Sequence, residues 1–147
     1  MALESLKNVL GDTLIGLDHI GVAVPDLPTG IAQWESLGLS QTHQEVNDEQ
    51  HVAEAMMKIP SGVSIQLLAP TDDDSTIAKF LDKHGPGLQQ IAFAVTDINK
   101  AMELLKNAGI RVLYETAKRG TSGSSINFIH PKDMGGVLVE LVQYNNA

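Results

Sequence analysis

Five polar side chains stand inside apolar-rich runs of this sequence: His19 in LDHIGVAV, Glu54 in HVAEAMMKI, Gln66 in VSIQLLAP, Gln90 in LQQIAFAV and Glu140 in GVLVELVQ. Each run reads as a strand, in which alternate side chains face opposite sides. Alternation sends Ile20, Val22 and Val24, Ile65 and Leu67, Ile91, Phe93 and Val95, and Val137, Val139 and Leu141 to a packed face. It turns His19, Gln66, Gln90 and Glu140 the other way. One imidazole, two amide oxygens and one carboxylate form a hard-to-borderline ligand set for a divalent metal, and an octahedral shell leaves room for waters or a bidentate substrate. The alternative is that the four are polar residues of a solvated sheet face. Glu54 shares its face with Val52 and Met56. A carboxylate there is costly unless paired or used. It reads either as a general base tuned by burial or as an edge-strand glutamate facing water.

A second group of residues could meet an anion. KRGTSGSS, from Lys118 and Arg119 to Ser125, combines two cations with a glycine-rich turn whose N–H groups suit phosphate; it also reads as a mobile hairpin tip. Pro131 forces His130 extended, and Lys132 reaches an anion or is simply solvated. His43, His51 and His84 show no partner pattern and read as surface residues, while Trp34, Met56 and Met57 read as packing. No P-loop motif is present.

The elements that must position these residues come in two copies. LDHIGVAVPDLPTGIAQWESLGL, from Leu17, aligns without a gap to LQQIAFAVTDINKAMELLKNAGI, from Leu88, and VSIQLL, from Val63, matches VLVELV, from Val137. His19 thereby corresponds to Gln90, and Gln66 to Glu140. Each copy opens with a strand. Asp26 or Asp97 then stands where a helix N-cap belongs, an apolar 3.6-period follows, and Gly38 or Gly109 ends the helix. Three extended runs come next: LSQTHQEV, HVAEAMMKI and VSIQLLAP in one copy, IRVLYET, SINFIH and GVLVELVQ in the other. TDDDSTIAKFLDKHG reads as a linking helix, and residues 2–10 as a short extra one. The expectation is an α+β chain of two pseudo-twofold βαβββ modules, at about 15–70 and 87–143 with the linking helix at about 74–84, making a single domain over 1–147 with a cleft around a metal site between the copies.

Composition narrows the function classes. At 147 residues, 43% hydrophobic and 19% charged, the chain reads as one soluble globular domain. Without cysteine it has no disulfide, thiolate zinc site or cysteine nucleophile. No apolar run is long enough for a membrane span, and the N-terminal stretch has neither secretory nor transit character, so the expected location is the cytoplasm. Up to Met57, Lys7 faces nine acidic residues; beyond it, nine basic residues balance nine acidic ones, for a net charge of −8. That balance, with few aromatics, argues against nucleic acid.

LDHIGVAVPDL, DSTIAKFLDKHGPGLQQIAF, GIRVLYE and INFIHPKDMGGVLVELV together resemble the methylmalonyl-CoA epimerase family of the vicinal-oxygen-chelate (glyoxalase-like) superfamily, from about Leu17 to Val142. The resemblance implies metal ligands at His19, Gln66, Gln90 and Glu140. It also implies an acid/base glutamate at Glu54, with Glu140 as the second proton-transfer group. The expected activity is isomerisation of (2R)- and (2S)-methylmalonyl-CoA, with an acyl-CoA as the small-molecule partner and a homodimer as the assembly. The expected cofactor is a divalent ion, Co²⁺ first, with Mn²⁺, Mg²⁺, Ni²⁺ or Zn²⁺ as alternatives. One departure stands out: the family's GLHH run reads GLQQ here, so an amide replaces the usual imidazole at Gln90. Competing readings are a glyoxalase-like lyase and a metal-free small-molecule binding protein of the same fold.

Overall fold

The structure, a computed structural model, describes residues 8–145. The short helix expected over residues 2–10 lies largely outside the described residues; residues 8–10 form a turn and bends. The repeat appears as the same element order twice. β1 (Leu14–Ala23), α1 (Leu27–Glu35), β2 (Ser40–Asn47), β3 (Val52–Lys58) and β4 (Ser64–Pro70) are followed by α2 (Thr76–His84). Then come β5 (Gly87–Val95), α3 (Ile98–Asn107), β6 (Lys118–Arg119), β7 (Ser125–Ile129) and β8 (Val139–Gln143). Strand order is β2-β3-β4-β1 in the first set and β5-β8-β7-β6 in the second, with β1 and β4 parallel, β5 and β8 parallel, and the other pairs antiparallel. The chain forms two compact units, Asp18–Gln90 and the residues from Ile91 together with those up to Leu17, so the boundary falls within β1 and β5.

In the unit Asp18–Gln90, α1 starts where Asp26 Oδ1 accepts from the Thr29 N–H at 2.9 Å, with Pro28 in the first turn. Its apolar face packs with Val22, Val24, Ala55, Met57, Leu67 and Ala69 on one side of the strands. Gly30 permits the close approach: a Cβ there would lie 3.2 Å from Val24 Cγ1. The other side carries Ala23, Val52 and Leu68, covered by Ile77, Phe80 and Leu81 of α2.

The second unit repeats the logic. Asp97 Oδ1 caps α3 through the Lys100 N–H at 3.0 Å, and Gly109 follows the cap residue Ala108 with φ +77°. Ile98, Ala101 and Leu105 of α3 pack on Val95, Ile129, Val139 and Leu141. Two expectations need correction here. IRVLYET is not a regular strand. Asn127 reaches across instead, accepting from the Tyr114 N–H at 3.2 Å and donating to its carbonyl at 2.9 Å. Arg111 is clamped by Asp133 through its backbone N–H, Nε and Nη2. Backbone pairing with β7 is confined to one antiparallel bridge, Val112 to Ile129, with the Leu113 and His130 N–H groups donating to the Phe128 and Arg111 carbonyls, and these side-chain bonds hold the residues on either side of it. Val137 is not in the core either but 45% exposed, because Gly135 and Gly136, both at positive φ, prolong the turn so that β8 begins only at Val139. The Arg111 side-chain hydrogen bonds, followed by its backbone N–H, lower the Asp133 carboxyl to about 2.

Candidate active site

Strand register assembles the site in the unit Asp18–Gln90. Gly21 stands opposite Gln66, Gln66 opposite Met56, and Glu54 opposite Glu45. Directly paired residues share a face, as do residues two apart along a strand. His19, Gly21, Gln66, Glu54 and Glu45 therefore lie on one face, and the α1-packed residues on the other. The solvated-face alternative does not hold: His19 is 0% exposed, Glu54 and Gln66 4% and Gln90 7%.

The polar contacts are specific. His19 Nδ1 lies 2.8 Å from Asp18 Oδ2. A carboxylate at Nδ1 favours the proton on that nitrogen and places the imidazole lone pair at Nε2. Gln66 donates from Nε2 to Glu54 Oε2 at 3.0 Å. Its own Oε1 is buried and accepts no hydrogen bond among the described residues, an expensive state for an amide oxygen unless a cation or water meets it. Gln90 lies over Gly21, where an added Cβ would be 2.5 Å from Gln90 Cγ. Gly21 is thus a cradle for Gln90, a function that strand alternation alone did not reveal.

In the other unit, Glu140 lies on β8 opposite Ala92 and Phe128 and is 5% exposed. Its face is that of Ala92, Ile126 and Val142, whereas Val139 and Leu141 face α3. The anion-binding candidates do not gather in one place. Arg119 pairs with Ser125 and Lys118 with Ile126 at the start of β7, and Lys118 Nζ sits 5.7 Å above the Tyr114 ring. His130 and Lys132 lie beyond the other end of β7. There His130 Nδ1 accepts from the Lys132 N–H at 3.2 Å and caps the 3-10 turn Pro131–Met134. The turn Thr121–Gly123 is no loose hairpin tip, since the Thr121 and Ser124 hydroxyls are buried.

The histidines read as partnerless surface residues have partners. His51 Nδ1 lies 2.8 Å from Asp72 Oδ2, and the His84 ring centroid lies 4.9 Å from that of Phe80. His43 Nε2 is 3.0 Å from Glu45 Oε1. Donor atoms of His43, Glu45 and Glu54 all lie within 4.8 Å of one another, a cluster consistent with a divalent metal site. The sequence signal was an H-x-E pair on one strand, set across from a glutamate on the next.

Comparison with known proteins shows the family. Residues 18–128 match the family model of the Glyoxalase/Bleomycin resistance protein/Dioxygenase superfamily. Human mitochondrial methylmalonyl-CoA epimerase is 38% identical over 128 residues, spanning 86% of this chain and 73% of that protein. The crystal structure of methylmalonyl-CoA epimerase from Mycobacterium tuberculosis superposes with a TM-score of 0.90 at 50% identity, covering 92% of each chain. A Streptomyces coelicolor methylmalonyl-CoA epimerase variant in complex with 2-nitronate-propionyl-CoA superposes with a TM-score of 0.88 at 41% identity, covering 91% of this chain and 100% of that one. The α+β fold of two βαβββ modules is that of these enzymes. The chain belongs to the glyoxalase/bleomycin resistance protein/dioxygenase superfamily and, within it, to the methylmalonyl-CoA epimerase family.

Proposed function

We propose that this protein is an isomerase that interconverts (2R)- and (2S)-methylmalonyl-CoA by removing the C2 proton from one face and returning a proton to the other. The observation that carries this reading is Glu54, a buried carboxylate oriented by Gln66 in a chain of the epimerase family. Glu54 takes the proton from C2 in one direction and returns it in the other. Glu140 is the second acid/base group. Each such group typically contributes about 10²–10⁴-fold.

His19, Gln66 and Gln90 would hold a divalent ion, with Glu140 as the fourth donor. The fit rests on the Gln66 Oε1, buried without a hydrogen-bond partner among the described residues, and on the Asp18 carboxylate that orients the His19 ring. Bound there, the ion supplies Lewis-acid stabilisation for charge that develops on the thioester oxygen. Co²⁺ is the first choice, although an amide at Gln90 moves the preference toward Mn²⁺ and Mg²⁺ and away from Co²⁺, Ni²⁺ and Zn²⁺. Lys118, Arg119 and Ser125 form one anion-binding group for the acyl-CoA. His130 and Lys132, at the other end of β7, form a separate one. The reading carries with it a cytoplasmic homodimer, checked by fractionation and by sedimentation.

Isotope exchange tests the function. Metal-loaded protein in D₂O is expected to incorporate deuterium at C2 of methylmalonyl-CoA starting from either epimer. No exchange above the metal-only background, across several divalent ions, overturns the proposal.

A further inference from the structure

We propose that His43, Glu45 and Glu54 form an inhibitory cation site, separate from the His19, Gln66 and Gln90 donors, where a zinc-like divalent ion switches the enzyme off by occupying the carboxylate that serves as base. The proposal rests on the reading of Glu54 as that base.

The site follows from local strand geometry. His43 and Glu45 are two apart on β2 and share a face, and Glu45 is directly opposite Glu54 on β3. The register shifts between Gln41 and His43, an irregularity of the kind that re-aims a side chain. Two carboxylates placed directly opposite each other across a ladder match the charge of a divalent ion, and a neutral imidazole adds a donor without adding charge. Imidazole nitrogen and carboxylate oxygen are both zinc ligands, and three protein donors with water in a fourth position is the arrangement of an open zinc site. The donors are close enough for one ion, all within 4.8 Å of one another.

The site also has a way in. The His43 and Glu45 side chains are 36% and 20% exposed, whereas Glu54 is buried behind them. An ion arriving from solvent meets the outer pair first and the base last. Once it holds Glu54, the cation withdraws charge from the carboxylate, lowers its basicity and fills the side from which a C2–H would approach.

The test uses the enzyme loaded with Co²⁺, with Zn²⁺ as the probe. Zinc uptake per chain is measured by calorimetry, and the epimerisation rate is measured in parallel. Wild type is expected to take up zinc beyond its first ion and to lose activity as it does so. In His43→Asn and Glu45→Gln, inhibition is read as the rate with zinc relative to each variant's own zinc-free rate. Both substitutions should weaken the additional zinc binding by more than the roughly 10–100-fold typical of losing a second-shell partner, and inhibition should weaken with it. Circular dichroism of both variants confirms folding, and agreement between them excludes a fault of one variant. No additional zinc in wild type, uptake unchanged in both variants, or inhibition that persists in them each overturns the proposal. So does additional zinc that binds without inhibiting. If wild type shows no epimerisation at all, the functional reading fails, and with it the inhibitory role, while calorimetry still decides whether the cation site exists.

Discussion

Gln66 donates a 3.0 Å hydrogen bond to the carboxylate of Glu54, and the two side chains are buried together on adjacent strands. The bond does two jobs. It fixes the carboxylate, and it turns the amide so that Oε1 points away from the glutamate. The proposed acid/base group and a candidate metal ligand thus hold each other in place.

Replacing the carboxylate while keeping its volume separates these jobs. Glu54→Gln is expected to lower kcat by about 10²-fold or more while leaving Co²⁺ affinity nearly intact. Glu140→Gln is expected to lose both. Steady-state kinetics and calorimetry on the two variants check this. Turnover near wild type in Glu54→Gln would show that the proton goes elsewhere.

Gly21 leads to a steric prediction. In Gly21→Ala the new Cβ would lie 2.5 Å from Gln90 Cγ and 3.2 Å from Leu68 Cδ1. Overpacking of this kind costs about 1–3 kcal/mol, and displacing Gln90 relieves it. The expected outcome is a modest fall in Tm with a larger fall in Co²⁺ affinity. A lower Tm with unchanged metal affinity would remove Gln90 from the ligand set.

As a proposed ligand, the amide at Gln90 would also set ion preference. Imidazole favours cobalt and zinc, whereas carbonyl oxygen suits magnesium and manganese. Gln90→His is therefore expected to tighten Co²⁺ and Zn²⁺ more than Mn²⁺ in calorimetric titrations. Gln89→His is the control, since alternation turns the neighbouring side chain to the other face, and it should change none of the three. Equal gains in Gln90→His would mean that the residue is not a ligand.

The Arg111–Asp133 clamp makes stability depend on acid. The Asp133 carboxyl ionises at about 2 in the folded chain, against an ordinary value of 3.8. A folded value below the unfolded one stabilises the fold above the unfolded value, and that contribution fades as pH falls through the folded one. Asp133→Asn is thus expected to be less stable than wild type at neutral pH. The gap should close between about pH 4 and pH 2. Urea denaturation across that range measures it, and a gap independent of pH would mean that the loss comes from packing.

Much of this was written in local pattern. The Asp26 and Asp97 caps, the 3.6-period of α3 and the period-2 strands depend on residues a few positions apart, so short windows reveal them. The repeat pairs His19 with Gln90 and Gln66 with Glu140, and alternation sets the face of Gln66 and Glu140 opposite to the helix-packed core. Local pattern failed at IRVLYET, where β-branched and aromatic content favours a strand but pairing with β7 stops at the Val112–Ile129 bridge, and Asn127 and Asp133 bond the residues on either side. It failed again at Val137, where two glycines lengthen a turn.

By itself the sequence determined the first βαβββ module, the second except for its strand at Lys118–Arg119, the helix-packed faces and the identity of the polar residues opposite them. Tertiary structure alone decided which of those residues touch. Glu45 meets Glu54 only through the β2–β3 register, and that register contains a shift after Gln41 that composition does not announce. Gly21 meets Gln90 across nearly the full span of its unit, and the amide of Gln66 finds Glu54 from a neighbouring strand. A one-residue slip in any pairing would turn these side chains to the opposite face. Capping and periodicity are local and additive, whereas register depends on the packing of both faces at once, which is why the chemistry of the site became legible only in the folded chain.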